Sequence, residues 1–223
     1  MSGVRFAIDG AATAAYTMVP TIEFRLRIDD AAADAERHDP IQSLQLHTQV
    51  RIEPERRRYS HEQQERLLGL FGVPERWADT LQPFLWTHAT IPVGRFRTTT
   101  EVKLPVECSY DLEVATGQYL HALADGEIPL LFLFSGTVFR RGPTGTTIEQ
   151  IDWEHGEARF RMPVSVWRET MDTAFPGAGW LRLRRETLDQ LLAYKAANAL
   201  PTWDATLQHL LETNDPETVE VEA

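Results

Sequence analysis

Residues 126–139 read GEIPLLFLFSGTVF. Ile128, Leu130, Leu131, Phe132, Leu133 and Phe134 place apolar side chains on both parities of an extended chain. A strand covered on one face alternates apolar with polar residues. A run that is apolar on both parities marks a central strand covered on both faces. Gly126 precedes the run and Arg140-Arg141-Gly142-Pro143 stops it, so its length suits a strand. Burying one Phe or Leu contributes roughly 1.5–3 kcal/mol. Six such side chains left in water are hard to sustain in a domain whose whole stability is about 5–15 kcal/mol. The cover is therefore expected from the same chain. Neighbouring strands supply one side, and helices carrying Trp167, Trp180 and Trp203 supply the other.

Outward from this strand the clearest signal is a period of two. Ile22, Phe24, Leu26 and Ile28 alternate with Glu23, Arg25 and Arg27. Leu44, Leu46, Thr48, Val50 and Ile52 alternate with Gln45, His47, Gln49 and Arg51. Both patterns predict strands with one buried face. Between them DDAAADAERHDP reads as a surface loop, and a short helix is also compatible. Leu85, Thr87, Ala89, Ile91 and Val93 form a third half-buried run, and a longer alternation follows from Phe96 to Val114. That length is unusual for one strand, so Pro105 is expected at an edge or bulge that bends it. Two further strands are expected, over Thr146 to Trp153 and over Ala158, Phe160 and Met162, with His155-Gly156 between them.

Helical spacing occurs in short pieces and dominates after Pro163. Ser60 and Gln63 can form a capping box before Leu67, Leu68 and Phe71, with Gly72 and Pro74 as the stop. Short helices are expected over 75–81 and 118–124. Val164, Val166, Trp167, Thr170 and Met171 share a helix face. Thr187 can cap a helix carrying Leu188, Leu191, Leu192 and Lys195. Thr202 can cap another carrying Trp203, Leu207, Leu210 and Leu211. Strands first and helices last predict an α+β fold, a mostly antiparallel β-sheet or sandwich with helices packed at the C-terminal end. The expected organisation is a flexible N-terminal arm over 1–19, a single α+β domain over 20–212 and an acidic tail over 213–223.

The chain of 223 residues is 43% hydrophobic and 25% charged, ordinary for a globular protein. Acidic residues outnumber basic ones, 33 to 22, for a formal charge of −11. Phosphate backbones are repelled by such a surface on average, so nucleic acid is a poor partner. Glu212, Asp215, Glu217, Glu220 and Glu222 concentrate five of the acids at the C-terminus; without them the charge is −6. The lone cysteine, Cys108, excludes an intrachain disulfide and fits a reducing compartment. The N-terminal stretch is interrupted by Asp9-Gly10, and no stretch nears the ~20 apolar residues of a membrane span. A cytoplasmic protein without membrane insertion is expected.

Chemistry-bearing motifs are weak. His61-Glu62 opens HEQQE, which lacks the second histidine of HExxH, so His61 reads as a solvated first-turn residue. Cys108 shares the apolar parity with Val106 and reads as core. Ser135 lacks the leading glycine of a nucleophile elbow, and Gly136 marks a bulge or a close backbone approach. The seven histidines are scattered, no two within four residues of each other. No catalytic residue, cofactor or metal site is expected. Two basic clusters stand out: Arg56-Arg57-Arg58, and Arg182, Arg184 and Arg185 beside Trp180. The null for both is a solvated face pairing with local acids. Aromatic and arginine side chains together are also a common interface composition, so Trp180, Arg182, Arg184 and Arg185 are the candidate partner-binding residues.

PERRRYSHEQQERLLGLFGVPERW, LWTHATIPV, TEVKLPVECSYDLEVATGQYLHALADGEIPLLFLFSGTVF and MDTAFPGAGWLRLRRETLDQLLAYKAANALPTWDATLQHLL, together spanning roughly 20–211, resemble a bacterial family of unknown function encoded beside structural genes of uptake nickel–iron hydrogenases. The resemblance brings no catalytic residue. It implies an accessory role in hydrogenase maturation or stability. The leading expectation is a non-enzymatic binding or assembly protein with a protein partner. The alternatives are an enzyme, hydrolase-like, with an unrecognised His/carboxylate site, and a structural subunit of a larger complex. The oligomeric state stays open.

Overall fold

The computed structural model describes residues 3–30, 39–108, 115–142, 145–152, 155–177 and 183–213. These group into two compact units, one ending at Gly179 and one starting at Trp180, in place of a single span over 20–212. Eight strands of the first unit form two antiparallel sheets. Strands β1 (Val4–Thr13), β2 (Thr21–Asp30) and β5 (Thr99–Glu107) make one sheet in the order β1-β2-β5. Strands β3 (Ile41–Ile52), β4 (Phe84–Val93), β6 (Glu127–Gly142), β7 (Gly145–Gln150) and β8 (Glu157–Pro163) make the other. Its order is β4-β3-β6, and β7 and β8 share the far side of β6.

The first strand corrects the expected N-terminal arm. Val4, Phe6 and Ile8 alternate in the sequence and are buried against the second sheet, Val4 completely. Asp9-Gly10, which interrupts the apolar run, is a bulge where the β1–β2 register shifts. A ten-residue antiparallel pairing with β2 then holds residues that composition alone makes look loose.

The sheets face each other across an apolar core. Ile22, Phe24, Leu26 and Ile28 of β2 are fully buried, as are Leu46, Val50 and Ile52 of β3. Phe24 meets Phe132 edge to face with centroids 5.0 Å apart, and Phe6 stacks on Phe134 at 4.4 Å. At the lateral edges β1 lies against β8 and β4 against β5. Pro92 in β4 and Pro105 in β5 sit on edge strands, where a missing N–H breaks no ladder. The described part of the long 96–114 alternation ends as a strand at Glu107, and residues 109–114 lie outside the described residues.

The third half-buried run needs one correction. The β3–β4 register shifts between Val50 and Arg51, so Val50 faces Thr87 and Arg51 faces Leu85. A bulge flips parity at this point. Trp86 is buried and Leu85 is 44% exposed, the reverse of the alternation read from Leu85 to Val93.

Strand β6 is the central strand that its sequence predicts. It pairs with β3 along most of its length, with β8 over Glu127–Leu133 and with β7 over Thr137–Gly142. Its even-numbered residues face the other sheet. Leu131, on the outer face, is 8% exposed and sits in register between Arg51 and Arg159. Long arginine stems can shield an apolar side chain while their charged ends stay wet. Arg51 donates to the Pro83 carbonyl and Arg159 to the Glu53 carboxylate, which holds both stems beside the sheet. The second cover is therefore built by neighbouring strands. Trp167 does join the core, Trp203 is 41% exposed, and Trp180 lies outside the described residues.

Three helices close the sandwich. Helix α1 (His61–Phe71) has the expected capping box, Ser60 Oγ accepting from Gln63 N–H while Gln63 accepts from Ser60 N–H, and ends at Gly72 with φ 73°. It packs on α3 (Ala115–Ala122), and between them α2 is a single turn, Trp77–Thr80. Helix α4 (Val164–Ala174) buries Val164, Trp167, Thr170 and Met171, as its spacing predicts, and Thr170 hydrogen-bonds Thr13 of β1 at 3.0 Å. At one corner Arg140 of β6 makes a bidentate pair with Asp30 of β2, at 2.6 and 3.0 Å, with both side chains buried. That pair ties one sheet to the other.

The second unit is described from 183 to 213 and contains α5 (Arg185–Ala197) and α6 (Trp203–Thr213), packed on each other. Lys195 donates to the carbonyls of Leu200 and Pro201 and ties the turn between them. Thr202 caps α6 through its hydroxyl to Ala205 N–H at 3.1 Å, as expected. Thr187 does not cap α5. The helix starts two residues earlier, with Arg184 at the N-cap and no side-chain cap.

Candidate functional site

Arg56-Arg57-Arg58 lies in a hollow of about 770 Å³ between a turn of 3-10 helix (Pro54–Arg56), the start of α1 and the 125–127 turn. Most of its cations are engaged internally. Arg57 donates to the carbonyls of Glu127 and Asp125 and to Gln63 Oε1, at 3.1 to 3.3 Å, and lies over the Tyr59 ring. Arg56 pairs with the buried Glu53 carboxylate at 3.1 Å, and Arg159 shares that carboxylate. Arg161 donates to the Arg56 carbonyl. Only the exposed Arg58 in this hollow has no side-chain partner among the described residues. The cluster is thus mainly a brace for irregular backbone, which is the local-pairing null.

Beneath the brace Tyr59 donates to the Pro54 carbonyl at 2.7 Å and meets the Tyr119 hydroxyl at 2.9 Å. Burial pushes both phenols up, Tyr119 to about 12 and Tyr59 further, with Tyr119 itself adding to the rise at Tyr59. Both stay neutral at ordinary pH and serve as hydrogen-bonding links.

The remaining predicted contact residues fall at the start of the second unit. Arg184 is the N-cap of α5 and Arg185 its first residue, and both are exposed. Trp180 and Arg182 lie outside the described residues. The helices that follow carry the apolar spacing read from the sequence but do not bury it. Leu188 and Leu192 are 38% and 46% exposed, and α5 has no buried residue. Trp203, Leu207 and Leu211, each four apart and so on one face of α6, are 41%, 42% and 73% exposed. Five large apolar side chains of this small helical hairpin are thus exposed.

Other sequence candidates have the places expected of them. Cys108 is buried, its thiol donating to the Val106 carbonyl at 3.8 Å. His61 is solvated and 3.4 Å from Glu65. Ser135 is exposed within β6, with no turn into a helix after it. Gly136 has φ 151°, and a Cβ there would lie 2.0 Å from the Gln45 carbonyl oxygen, the close approach inferred from the sequence. No group of three or more His, Cys, Asp or Glu side chains suited to a metal occurs among the described residues. No helix among them is long and apolar enough to cross a membrane.

The chain belongs to a family of unknown function (DUF6084), which matches residues 1–219. No curated protein matches it. Among solved structures it is similar to the solution structure of a protein described as late embryogenesis abundant (LEA). The identity is 13%, the TM-score is 0.32, and the match covers 72% of this chain and 71% of that one. Nothing of that protein's biology is carried over to this chain.

Proposed function

We propose that this member of a family of unknown function is a non-enzymatic accessory protein that binds a protein partner through its C-terminal helical hairpin. The observation that carries this reading is the exposure of Leu188 and Leu192 on α5 and of Trp203, Leu207 and Leu211 on α6, preceded by Arg184 and Arg185. Trp180 and Arg182 complete the proposed contact set. A partner with an apolar strip edged by acidic residues complements it, since rim charges guide encounter while the apolar centre supplies affinity. The sequence resemblance supports a nickel–iron hydrogenase as that partner, with a role in its maturation or stability, in the cytoplasm.

The test is co-purification of a tagged chain from a bacterium that makes both proteins. Stoichiometric recovery of hydrogenase subunits identifies a structural subunit, and substoichiometric recovery of immature forms identifies an assembly factor. Leu207→Glu with Leu211→Glu abolishes recovery, and Arg184→Glu with Arg185→Glu weakens it. Recovery that both pairs leave unchanged rules out the hairpin. Absence of hydrogenase from every preparation rules out that partner.

A further inference from the structure

Linear spacing keeps all seven histidines apart, but strand register brings two of them to one place. His47 of β3 pairs with Thr90 of β4, and Gln49 of β3 pairs with His88. Residues 47 and 49 point to one face of the sheet, and their partners 90 and 88 point to the same face. His47 and His88 are therefore diagonal neighbours, within reach of each other's side chains. Both line a hollow of about 360 Å³ on the outer face of the second sheet, with Leu133 and Ser135 of β6 at its other side. Ser135 is the register partner of His47.

Each imidazole is oriented by a neutral neighbour. His47 Nδ1 is 3.0 Å from Thr90 Oγ1, and His88 Nε2 is 3.3 Å from the Gln49 amide. With its proton on Nδ1, His47 donates to Thr90 and keeps a free lone pair on Nε2. The Gln49 amide nitrogen faces His88 Nε2 and donates to it; with the amide turned over, its oxygen accepts from His88 Nε2–H and Nδ1 is left free. Orientation of one ring nitrogen by a hydrogen bond while the other stays available is how proteins prepare histidine for a metal. No positive charge borders the pair in its register rows, where its neighbours are Thr90, Gln49, Ser135 and Leu133.

We propose that His47 and His88 form a two-imidazole site for a borderline divalent transition ion of the nickel, copper and zinc group. Imidazole nitrogen is the donor these ions favour, whereas calcium and magnesium need oxygen ligands. Two protein ligands leave the other coordination positions to water, with the Ser135 hydroxyl beside them, so the bound ion exchanges readily. The site is independent of the partner-binding reading.

Calorimetric titration of untagged protein with Zn²⁺ tests it. The expected result is one ion per chain, with His47→Ala and His88→Ala each weakening affinity tenfold or more. Thr90→Val, which removes only the orienting hydroxyl, weakens it about tenfold. Both histidines are exposed, so the metal-free melting temperature is unchanged in every variant. Cu²⁺ selectively broadens the backbone amide resonances of residues 47–49, 88–90 and 133–135. Absence of binding up to about 1 mM Zn²⁺ overturns the proposal. So does undiminished binding in the double variant, or broadening centred elsewhere.

Discussion

The two halves of β6 are continuous in sequence and differ in everything that surrounds them. From Ile128 to Phe134 the strand lies between β3 and β8, and apolar side chains on both faces are covered. From Ser135 to Gly142 it lies between β3 and β7, one face is wet, and the core-facing row ends in a charged residue, Arg140. The first half is held by packing and the second by a polar clamp. The change of neighbour occurs at Gly136, whose backbone approaches Gln45 closely enough to exclude a side chain. One strand can thus serve a dry middle and a polar corner, provided a glycine lets the backbone turn between them.

The largest effect is expected at that junction. Gly136→Val both clashes and takes a φ that β-branched residues avoid, and is expected to cost more than about 4 kcal/mol. Chemical denaturation, or failure to obtain folded protein, reads this out. A stable Gly136→Val would mean that the halves are not separated there.

Phe132→Ala is expected to cost about 3–5 kcal/mol, because it removes a fully buried ring and leaves a cavity. Phe139→Ala, at a half-buried site in the second half, is expected to cost about 1 kcal/mol. Equal losses in urea melts would erase the contrast in packing.

Asp30→Asn removes the bidentate carboxylate from the buried Arg140 guanidinium and leaves it the Glu149 carboxylate at 3.3 Å, and about 3 kcal/mol is expected. Replacing both members with Leu and Met restores most of that loss, since a well-packed apolar pair can substitute for a buried ion pair. A double variant no better than the single one would show that the corner requires its charge.

The aromatic end near the first half responds to alkali instead. The Tyr119 phenol ordinarily ionises near 10.0, and in the folded protein near about 12. Below pH 10 it is neutral whether folded or not, and its contribution is intact. As pH rises from 10 towards 12 the unfolded state loses its proton first, and about 2–3 kcal/mol of stability is lost. Tyr59→Phe with Tyr119→Phe should flatten this part of the stability–pH profile. Arg58→Glu marks the small end: its exposed side chain holds nothing among the described residues, and the melting temperature should move by less than the equivalent of about 0.5 kcal/mol.

Much of the fold was legible where one face of an element is dry and the other wet. The alternations of 22–28 and 44–52, the capping box at Ser60 and Gln63, the spacing in 164–171 and the doubly apolar run of 128–134 each translate into structure. Failures came where local pattern competes with a partner far away. Residues 4–13 of the expected 1–19 arm looked loose because their pairing with β2 is invisible along the chain. Leu85 was placed on the wrong face because a bulge changes parity without leaving a clear residue signature. The apolar faces of 188–192 and 203–211 were read as buried because spacing reports amphipathicity and not what covers it. For the candidate site, Arg184 and Arg185 were legible as charged residues at a helix start, whereas the exposed hairpin face was not. The diagonal placement of His47 and His88 depends on register between β3 and β4, so no spacing rule could have found it.

The amino-acid order by itself determined which segments extend, which coil and which side chains avoid water, because propensity, capping and hydrophobic period act within a few residues. Only the tertiary structure decided which strand lies beside which, that Asp30 meets Arg140, that His47 and His88 lie diagonally across β3 and β4, and that Leu131 sits in register between two arginines. Those contacts join residues far apart in the chain, and their geometry is set by register, twist and bulges accumulated over the whole sandwich.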